Sequence, residues 1–268
     1  MSAPDLKREF LKAWRLISAP LRRLPDFLIA GAPKCGTSSL FDLITLHPDA
    51  QRGWRKEPTN FIHYPTSSLR ARMNQPLACG RFLCGDGSVE YFFHPEAPAN
   101  AAGIVPNAKV IFLFRDPIAR AWSEYRMFVK SGHEHADFTT SVRKAVEWLS
   151  NPDLQPLVES ASKNSFNPVR YVRCGMYAEL LASWEKSFSK DRMLVLFSEE
   201  FFSNASETAE KVYSFLGLKP YSLTDSPHAR DGGSSQKPPQ EAANLLRDFY
   251  GPHNEKLRSM LGRKLPWD

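Results

Sequence analysis

The stretch FLIAGAPKCGTSSLFDLI, residues 27–44, constrains the fold more than any other part of the chain. An apolar run, Phe27–Ala30, leads into Gly31, a short loop and Gly36, and an apolar-periodic helix follows over Thr37–Leu46. A strand that turns through glycine into a helix leaves the first backbone N–H groups of that helix without intrahelical acceptors. The helix dipole adds partial positive charge at the same place. Gly31 and Gly36 allow close approach of backbone to ligand. Thr37, Ser38 and Ser39 add hydroxyl donors, and Lys34 puts a full charge in the loop. The stretch therefore predicts an anion site. The plainer alternative is a tight turn capped by Ser/Thr beside a solvated lysine.

The Gly31-x4-Gly36 spacing is that of a Walker A loop, but Thr37-Ser38 stands where such a loop has Lys-Ser/Thr. Among the strands expected from the sequence none ends in Asp as a Walker B strand does, because KVIFLF (109–114) runs into Arg115 before Asp116. A metal-dependent kinase or NTPase is disfavoured on both counts.

Strands alternating with helices imply a single α/β domain with a central, mainly parallel β-sheet flanked by helices. The strands expected are Phe27–Ala30, Lys109–Phe114 and Met193–Phe197. The helices are Pro117–Lys130, capped by Asp116, then Tyr177–Phe188, Glu207–Leu216 closed by Gly217, Pro239–Tyr250 and His253–Leu261. Ser150–Asn167 and Ser222–Gln240 read as loops. The 268 residues, 42% of them apolar, suit one domain with a small appendage. The division expected is an N-terminal basic amphipathic helix over 1–25 and the main domain over 26–268. Leu6, Phe10, Trp14, Ile17 and Leu21 recur at helical spacing among Lys7, Arg8, Lys12, Arg15, Arg22 and Arg23. Residues 5–23 thus either pack on the domain or lie on an anionic membrane surface. With no apolar run of about 18 residues and no signal-peptide pattern, the chain reads as soluble and cytoplasmic. A luminal catalytic domain separated from its anchor is the alternative. Cys79 and Cys84 either pair or stay reduced, and no Cys/His spacing suggests a metal site. The net charge of +6 fits an anionic ligand, but the motifs of nucleic-acid binders are absent.

The second informative stretch is KVIFLFRDPIARAWSEY. Arg115 stands at the carboxyl end of a buried strand, where open α/β sheets bind ligands. Ser123 lies seven residues beyond Asp116, on the same face as the helix start. The two side chains can hold one phosphate between them, or Asp116-Pro117 is a plain helix cap beside a surface arginine.

With both stretches in view, the chain resembles the sulfotransferases that use 3′-phosphoadenosine 5′-phosphosulfate (PAPS), in their bacterial and heparan-sulfate-type branch. GAPKCGTSSL is similar to that family's 5′-phosphosulfate loop, and FLFRDPIARAWSEY to its 3′-phosphate motif. KEPTNF, GDGSVEYFFHPEAP, RCGMYAELLASWEKSF, MLVLFSEEF and LRDFYGPHNEKLRSMLGRKLPW resemble further family segments, from about Asp26 to the C-terminus. The resemblance implies a P-loop-like fold and sulfuryl transfer from PAPS to a hydroxyl or amine by in-line displacement without metal. The transferred group carries less charge than a phosphoryl group, so no Mg²⁺ is needed to neutralise it. It further implies that Lys34, Cys35, Gly36, Thr37, Ser38 and Ser39 hold the phosphosulfate, with Lys34 assisting the leaving phosphate. Arg115 and Ser123 would hold the 3′-phosphate, and Arg230 and Lys237 of a late loop would lie over it. Glu57 in KEP takes the place of the general base.

Two departures bear on the acceptor. The family often has His two positions after the glutamate, where this chain has Thr59; His63 nearby is the runner-up base. Heparan-sulfate members often have Lys where this chain has Gly87, which weighs against a heparan-like polymer. Trp54, Thr59, His63, Asp86, Ser88 and Tyr91 are the candidates for acceptor contact. A small molecule is the expected acceptor and a glycan the alternative. A P-loop kinase and a non-catalytic nucleotide-binding scaffold are the rival functions.

Overall fold

KVIFLF forms the centre of the sheet. In a computed structural model, which describes residues 3–154, 168–223 and 236–268, it is strand β4 (Lys109–Phe114). It pairs in parallel with β1 (Phe27–Gly31) on one side and β5 (Met193–Phe197) on the other. Two shorter strands, β2 (Ala50–Arg52) and β3 (Leu83–Asp86), complete a sheet of order β2-β3-β1-β4-β5, parallel throughout. Every residue of β1 is buried, as is β4 from Val110 onward. Continuous apolar runs are what strands covered on both faces require. The expected fold class is therefore the observed one.

From β1 the chain goes first to the β3 side of the sheet and then crosses to β4. The carboxyl ends of β1 and β4 thus flank the point where the winding reverses, which is where doubly wound sheets open a crevice. The Lys34 loop follows β1, and Arg115 follows β4.

The helix signals hold at the caps. Asp116 accepts a 3.0 Å hydrogen bond from Ile118 N–H at the start of Pro117–Lys130, and Gly217 (φ 79°) ends Ala205–Leu216. The two last helices expected from the sequence are one, Gln240–Leu261, with Pro252 inside it. Pro252 cannot bond the carbonyl of Asp248, but that residue is exposed, and water can serve the carbonyl. Ala242, Leu246, Tyr250 and Leu257 keep one buried face across the proline. Strands β2 and β3 and the helices Ala97–Ile104, Phe138–Ser150 and Pro168–Arg173 were not expected. The last lies just past the expected loop over Ser150–Asn167, of which 155–167 fall outside the described residues. Cys79 and Cys84 are unpaired: Cys79 is exposed, and buried Cys84 directs its thiol at the Leu24 carbonyl, 3.3 Å away.

The N-terminal helix α1 (Ala3–Ile17) turns part of its basic face inward. Arg15 donates to the carbonyls of Met73 (2.7 Å) and Gln75 (2.9 Å), and Arg22 to the Ser18 hydroxyl and the Gln75 carbonyl, both at 3.0 Å. Phe10, Trp14, Ile17 and Leu21 are left exposed. Among the described residues no helix is long and apolar enough to cross a membrane.

Candidate active site

The loop after β1 is fixed to the carboxyl ends of β4 and β5. Ala32 N–H donates to the Leu113 carbonyl of β4 at 2.9 Å. The Ser198 hydroxyl sits between the carbonyls of Cys35 (2.6 Å) and Phe114 (2.9 Å). Lys34 (φ 65°) and Gly36 (φ 91°) both take left-handed backbone conformations, unusual for the lysine and natural for the glycine. Helix α2 (Thr37–Ile44) starts at Gly36, and no side chain caps it. Its first return bond runs from Leu40 N–H to the Gly36 carbonyl at 3.0 Å, so the amides of Thr37, Ser38 and Ser39 precede the intrahelical ladder. Thr37 and Ser38 are half-buried, whereas the Ser39 side chain is buried. Cys35 is buried too, its thiol directed at the Pro33 carbonyl 3.6 Å away, and burial pushes that thiol up to about 12. Cys35 therefore offers the loop its main chain, not a thiolate.

Lys34 reaches toward the helix Pro117–Lys130. Its Nζ lies 3.7 Å from the Met127 sulfur, one turn past Ser123 on the same helix. Partial burial lowers the Lys34 pKa. Glu124 opposes that shift, and the like charges of Arg115, Arg120 and Lys56 add to it. An ammonium shifted in this direction is the better proton donor. Arg115 directs Nη1 at the Lys34 carbonyl, 3.5 Å away. Its own carbonyl accepts from the Tyr177 hydroxyl at 2.7 Å, and the Tyr177 ring stacks on Phe114 with centroids 4.3 Å apart. Tyr177 is thus a core residue that holds Arg115 in place.

Beneath this cluster lies a buried charge network. Arg120 donates to Glu124 at 2.5 Å and to the Tyr171 carbonyl, and Arg170 Nε lies 3.3 Å from the other Glu124 oxygen. Two guanidiniums thus share one carboxylate, and Glu124 is the member of this network whose charge weighs most on Lys34. The neighbouring carboxylate holds the Arg120 pKa above its ordinary value, against the effect of burial.

The acceptor-side candidates split into two groups. Asp86, Ser88 and Tyr91 form a buried network at the end of β3, where Ser88 donates to Asp86 at 2.6 Å and Tyr91 at 2.9 Å. The Ser88 hydroxyl also accepts from Thr59 N–H at 3.1 Å, which ties the KEPT loop to the strand end. Burial raises the Asp86 pKa to about 6 despite those hydrogen bonds, and the charge of Glu57 adds to the rise. Glu57 is half-buried at φ 51° and lies 3.5 Å from Lys56 Nζ. Trp54 and His63 stand outside the network. Trp54 is exposed under Arg15, whose guanidinium is 4.9 Å from the ring centroid, and His63 is exposed at the end of the short helix Asn60–His63. Lys237 is exposed next to Gln236, whose carbonyl accepts from the Trp122 indole at 2.8 Å, so the segment passes over the Ser123 helix. Arg230 lies outside the described residues.

The sequence reading missed Met127, Ser198 and the Arg120–Glu124–Arg170 network. Arg120 and Glu124 stand at i,i+4, which signals a helical ion pair but not a buried one. Arg170 joins them from a separate helix, which no local spacing reveals.

The site is built of cations, uncapped amides and hydroxyls around one loop, which is the chemistry that holds a phosphate or sulfate. The comparisons agree with that chemistry. The family model described as "Sulfotransferase domain" matches residues 24–229. Mouse carbohydrate sulfotransferase 15 is 29% identical over an alignment of 308 residues that covers 90% of this chain and 54% of the relative. The chain thus spans about half the length of that relative. Mouse heparan sulfate glucosamine 3-O-sulfotransferase 6 is 27% identical, with 92% of this chain and 75% of the relative covered. Among solved structures, a sulfotransferase from Alicyclobacillus acidocaldarius superposes with a TM-score of 0.71 at 23% identity, covering 91% of this chain and 98% of that one, a likeness of fold.

Proposed function

Because the chain belongs to the sulfotransferase family, we propose that it transfers a sulfuryl group from PAPS to a carbohydrate hydroxyl. The observation that carries this reading is the convergence of Lys34, the uncapped start of α2 and Arg115 at the winding reversal of the sheet. PAPS, when bound, supplies an activated sulfuryl group and a phosphate that can leave.

The residues divide the work. The amides of Gly36, Thr37 and Ser38 and the hydroxyls of Thr37 and Ser38 hold the phosphosulfate end. Lys34 Nζ places an acidified ammonium where negative charge develops, an arrangement that favours the transition state over the ground state. Arg115 and Ser123 orient the 3′-phosphate, and Lys237 adds charge from above. Cys35 and Ser39, with buried side chains, act through the main chain. Glu57 accepts the acceptor's proton, while buried Asp86, Ser88 and Tyr91 position the KEPT loop that carries it. Residues 26–268 make up the transferase unit. Residues 1–25 are an appended helix whose exposed Phe10, Trp14, Ile17 and Leu21 suit peripheral membrane contact. Sedimentation of the full chain with anionic vesicles, lost on truncation of that helix, is the result expected.

The acceptor class draws on relatives named for carbohydrate and for heparan sulfate glucosamine, which favour the glycan alternative over the small molecule that the sequence leads one to expect. An acceptor screen with isotope-labelled PAPS, read by mass spectrometry over glycans and small hydroxylated compounds, tests the reading. A labelled sugar is the expected product. The reading fails if no acceptor is labelled and 3′-phosphoadenosine 5′-phosphate does not raise the melting temperature. Mg²⁺-dependent ATP consumption would assign a kinase instead.

A further inference from the structure

A second concentration of positive charge lies at the opposite end of the sheet. A cavity of about 590 Å³ opens below the amino ends of β1, β3 and β4, lined by Arg22, Arg23, Arg72 and Lys109, with Asp26 as the carboxylate among its lining residues. Asp26 is already engaged: it accepts from Arg23 at 3.0 Å and from Cys84 N–H at 2.9 Å. The other three cations have no carboxylate partner among the described residues. Arg22 donates to the Ser18 hydroxyl and the Gln75 carbonyl (both 3.0 Å), Arg72 to the Arg22 carbonyl (2.5 Å), and Lys109 to the Phe215 carbonyl. Such partners orient a cation but do not neutralise it. Arg15 adds to the crowding, since burial and then the like charge of Arg22 lower its pKa to about 10.

Arg22, Arg72 and Lys109 hold three charges around a space of the size that encloses small ligands, which span roughly 300–1,000 Å³. Guanidinium donors match tetrahedral oxyanions, and an anion among like charges relieves their mutual repulsion. We propose that this cavity is a second anion site, separate from the Lys34 loop, which takes a sulfate or phosphate group, free or esterified to a sugar-sized body.

Melting temperature followed against sodium sulfate, with ionic strength held constant by sodium chloride, tests the proposal. Working in a Lys34→Ala/Arg115→Gln background removes both cations of the upper loop, so that the lower cavity dominates the response. The expected result is a saturable rise that survives those two substitutions. Adding Arg72→Gln should weaken the apparent affinity at least tenfold, and Arg72→Gln with Lys109→Gln should abolish the response. Arg72→Lys, which keeps the charge, should retain most of it, and circular dichroism verifies that each variant is folded. Glucose 6-sulfate tested beside the free ion separates the sources: tighter binding assigns an ester, equal or weaker binding a free oxyanion, and either supports the site. The proposal is overturned if the response disappears with Lys34→Ala/Arg115→Gln alone, or persists undiminished when Arg72→Gln and Lys109→Gln are added in a folded variant.

Discussion

At the carboxyl ends of β1 and β4, Arg120 and Arg170 share the carboxylate of Glu124, whereas at the amino ends Arg22, Arg72 and Lys109 share carbonyl and hydroxyl oxygens. The upper network is closed: its guanidiniums are buried and partly neutralised by the carboxylate they share. The lower group has no carboxylate partner among the described residues apart from the engaged Asp26: Arg22 is buried against neutral oxygens, while Arg72 and Lys109 stay half-buried at the cavity. Burial explains part of the difference. A charge deep in the core needs a countercharge to offset desolvation, while a half-buried one lining a cavity keeps part of its hydration. The same residue types thus serve as internal scaffolding at one end and as a receptive surface at the other.

Removing the countercharge should break this contrast most visibly. Glu124→Gln leaves Arg120 and Arg170 without a carboxylate, and loss of one partner from a buried pair costs about 3–5 kcal/mol. Arg72→Gln at the open end should change stability by roughly 1 kcal/mol or less, as expected where hydration replaces a partner. Urea unfolding of both variants measures the gap. A Glu124→Gln cost equal to that of Arg72→Gln would mean that the upper network is not the scaffold its burial suggests.

Lys34 tests what the scaffold supports. Lys34→Ala should lower turnover by about 10²–10³-fold, the range for loss of one donor to developing charge. Its stability should stay within roughly 1 kcal/mol, because Nζ makes only a 3.7 Å approach to a thioether. Steady-state kinetics with PAPS and calorimetry on the same sample separate the two effects. A large loss of stability with intact turnover would place Lys34 in the scaffold instead.

Asp86 supplies a third buried charge, this one without a cation among its partners. Its folded pKa is raised from 3.8 to about 6. A carboxyl with a raised folded pKa contributes stability that is fully present below its unfolded pKa and is lost as pH rises through the folded one. Wild type should therefore lose up to about 3 kcal/mol relative to Asp86→Asn between pH 4 and pH 7. Urea unfolding of the pair at both pH values checks the sign. A difference that stays constant across that range would show that Asp86 is ionised throughout.

The sequence made one layer of this molecule legible. Local patterns identified β1, β4, β5 and the Gly36–Thr37 helix start, because each is a continuous apolar run or a glycine turn. They passed over β2, whose Gln51 and Arg52 are exposed, and β3, four residues with an internal glycine. In both, pairing with neighbouring strands outweighs weak intrinsic preference. The candidate site followed the same division. Lys34 and Arg115, which the structure brings together, stand in two motifs that local spacing reveals, but Arg170 meets Glu124 only through tertiary packing. Trp54 reads from the sequence as an aromatic fit to line an acceptor pocket, yet it packs under Arg15 of the N-terminal helix.

Gly36 carries the smallest predicted effect and addresses backbone, not charge. Its φ of 91° disfavours any side chain, and a Cβ there would lie 2.7 Å from the end of the Phe202 ring. Left-handed backbone costs an L-residue about 1–2 kcal/mol, so Gly36→Ala should destabilise by roughly that amount. Phe202 is exposed and its ring can swing away, so the contact adds little and Phe202→Ala should not rescue the loss. The Thr37 and Ser38 amides depend on this turn for their direction, so KM for PAPS should rise more than kcat falls. At the lower cavity no lining residue is a glycine and none takes a left-handed conformation. Sulfate-dependent stabilisation measured in the Lys34→Ala/Arg115→Gln background should therefore be the same with and without Gly36→Ala. If the substitution weakened that response as well, the two ends would be coupled through the sheet, and the contrast between closed scaffold and open cavity would not hold.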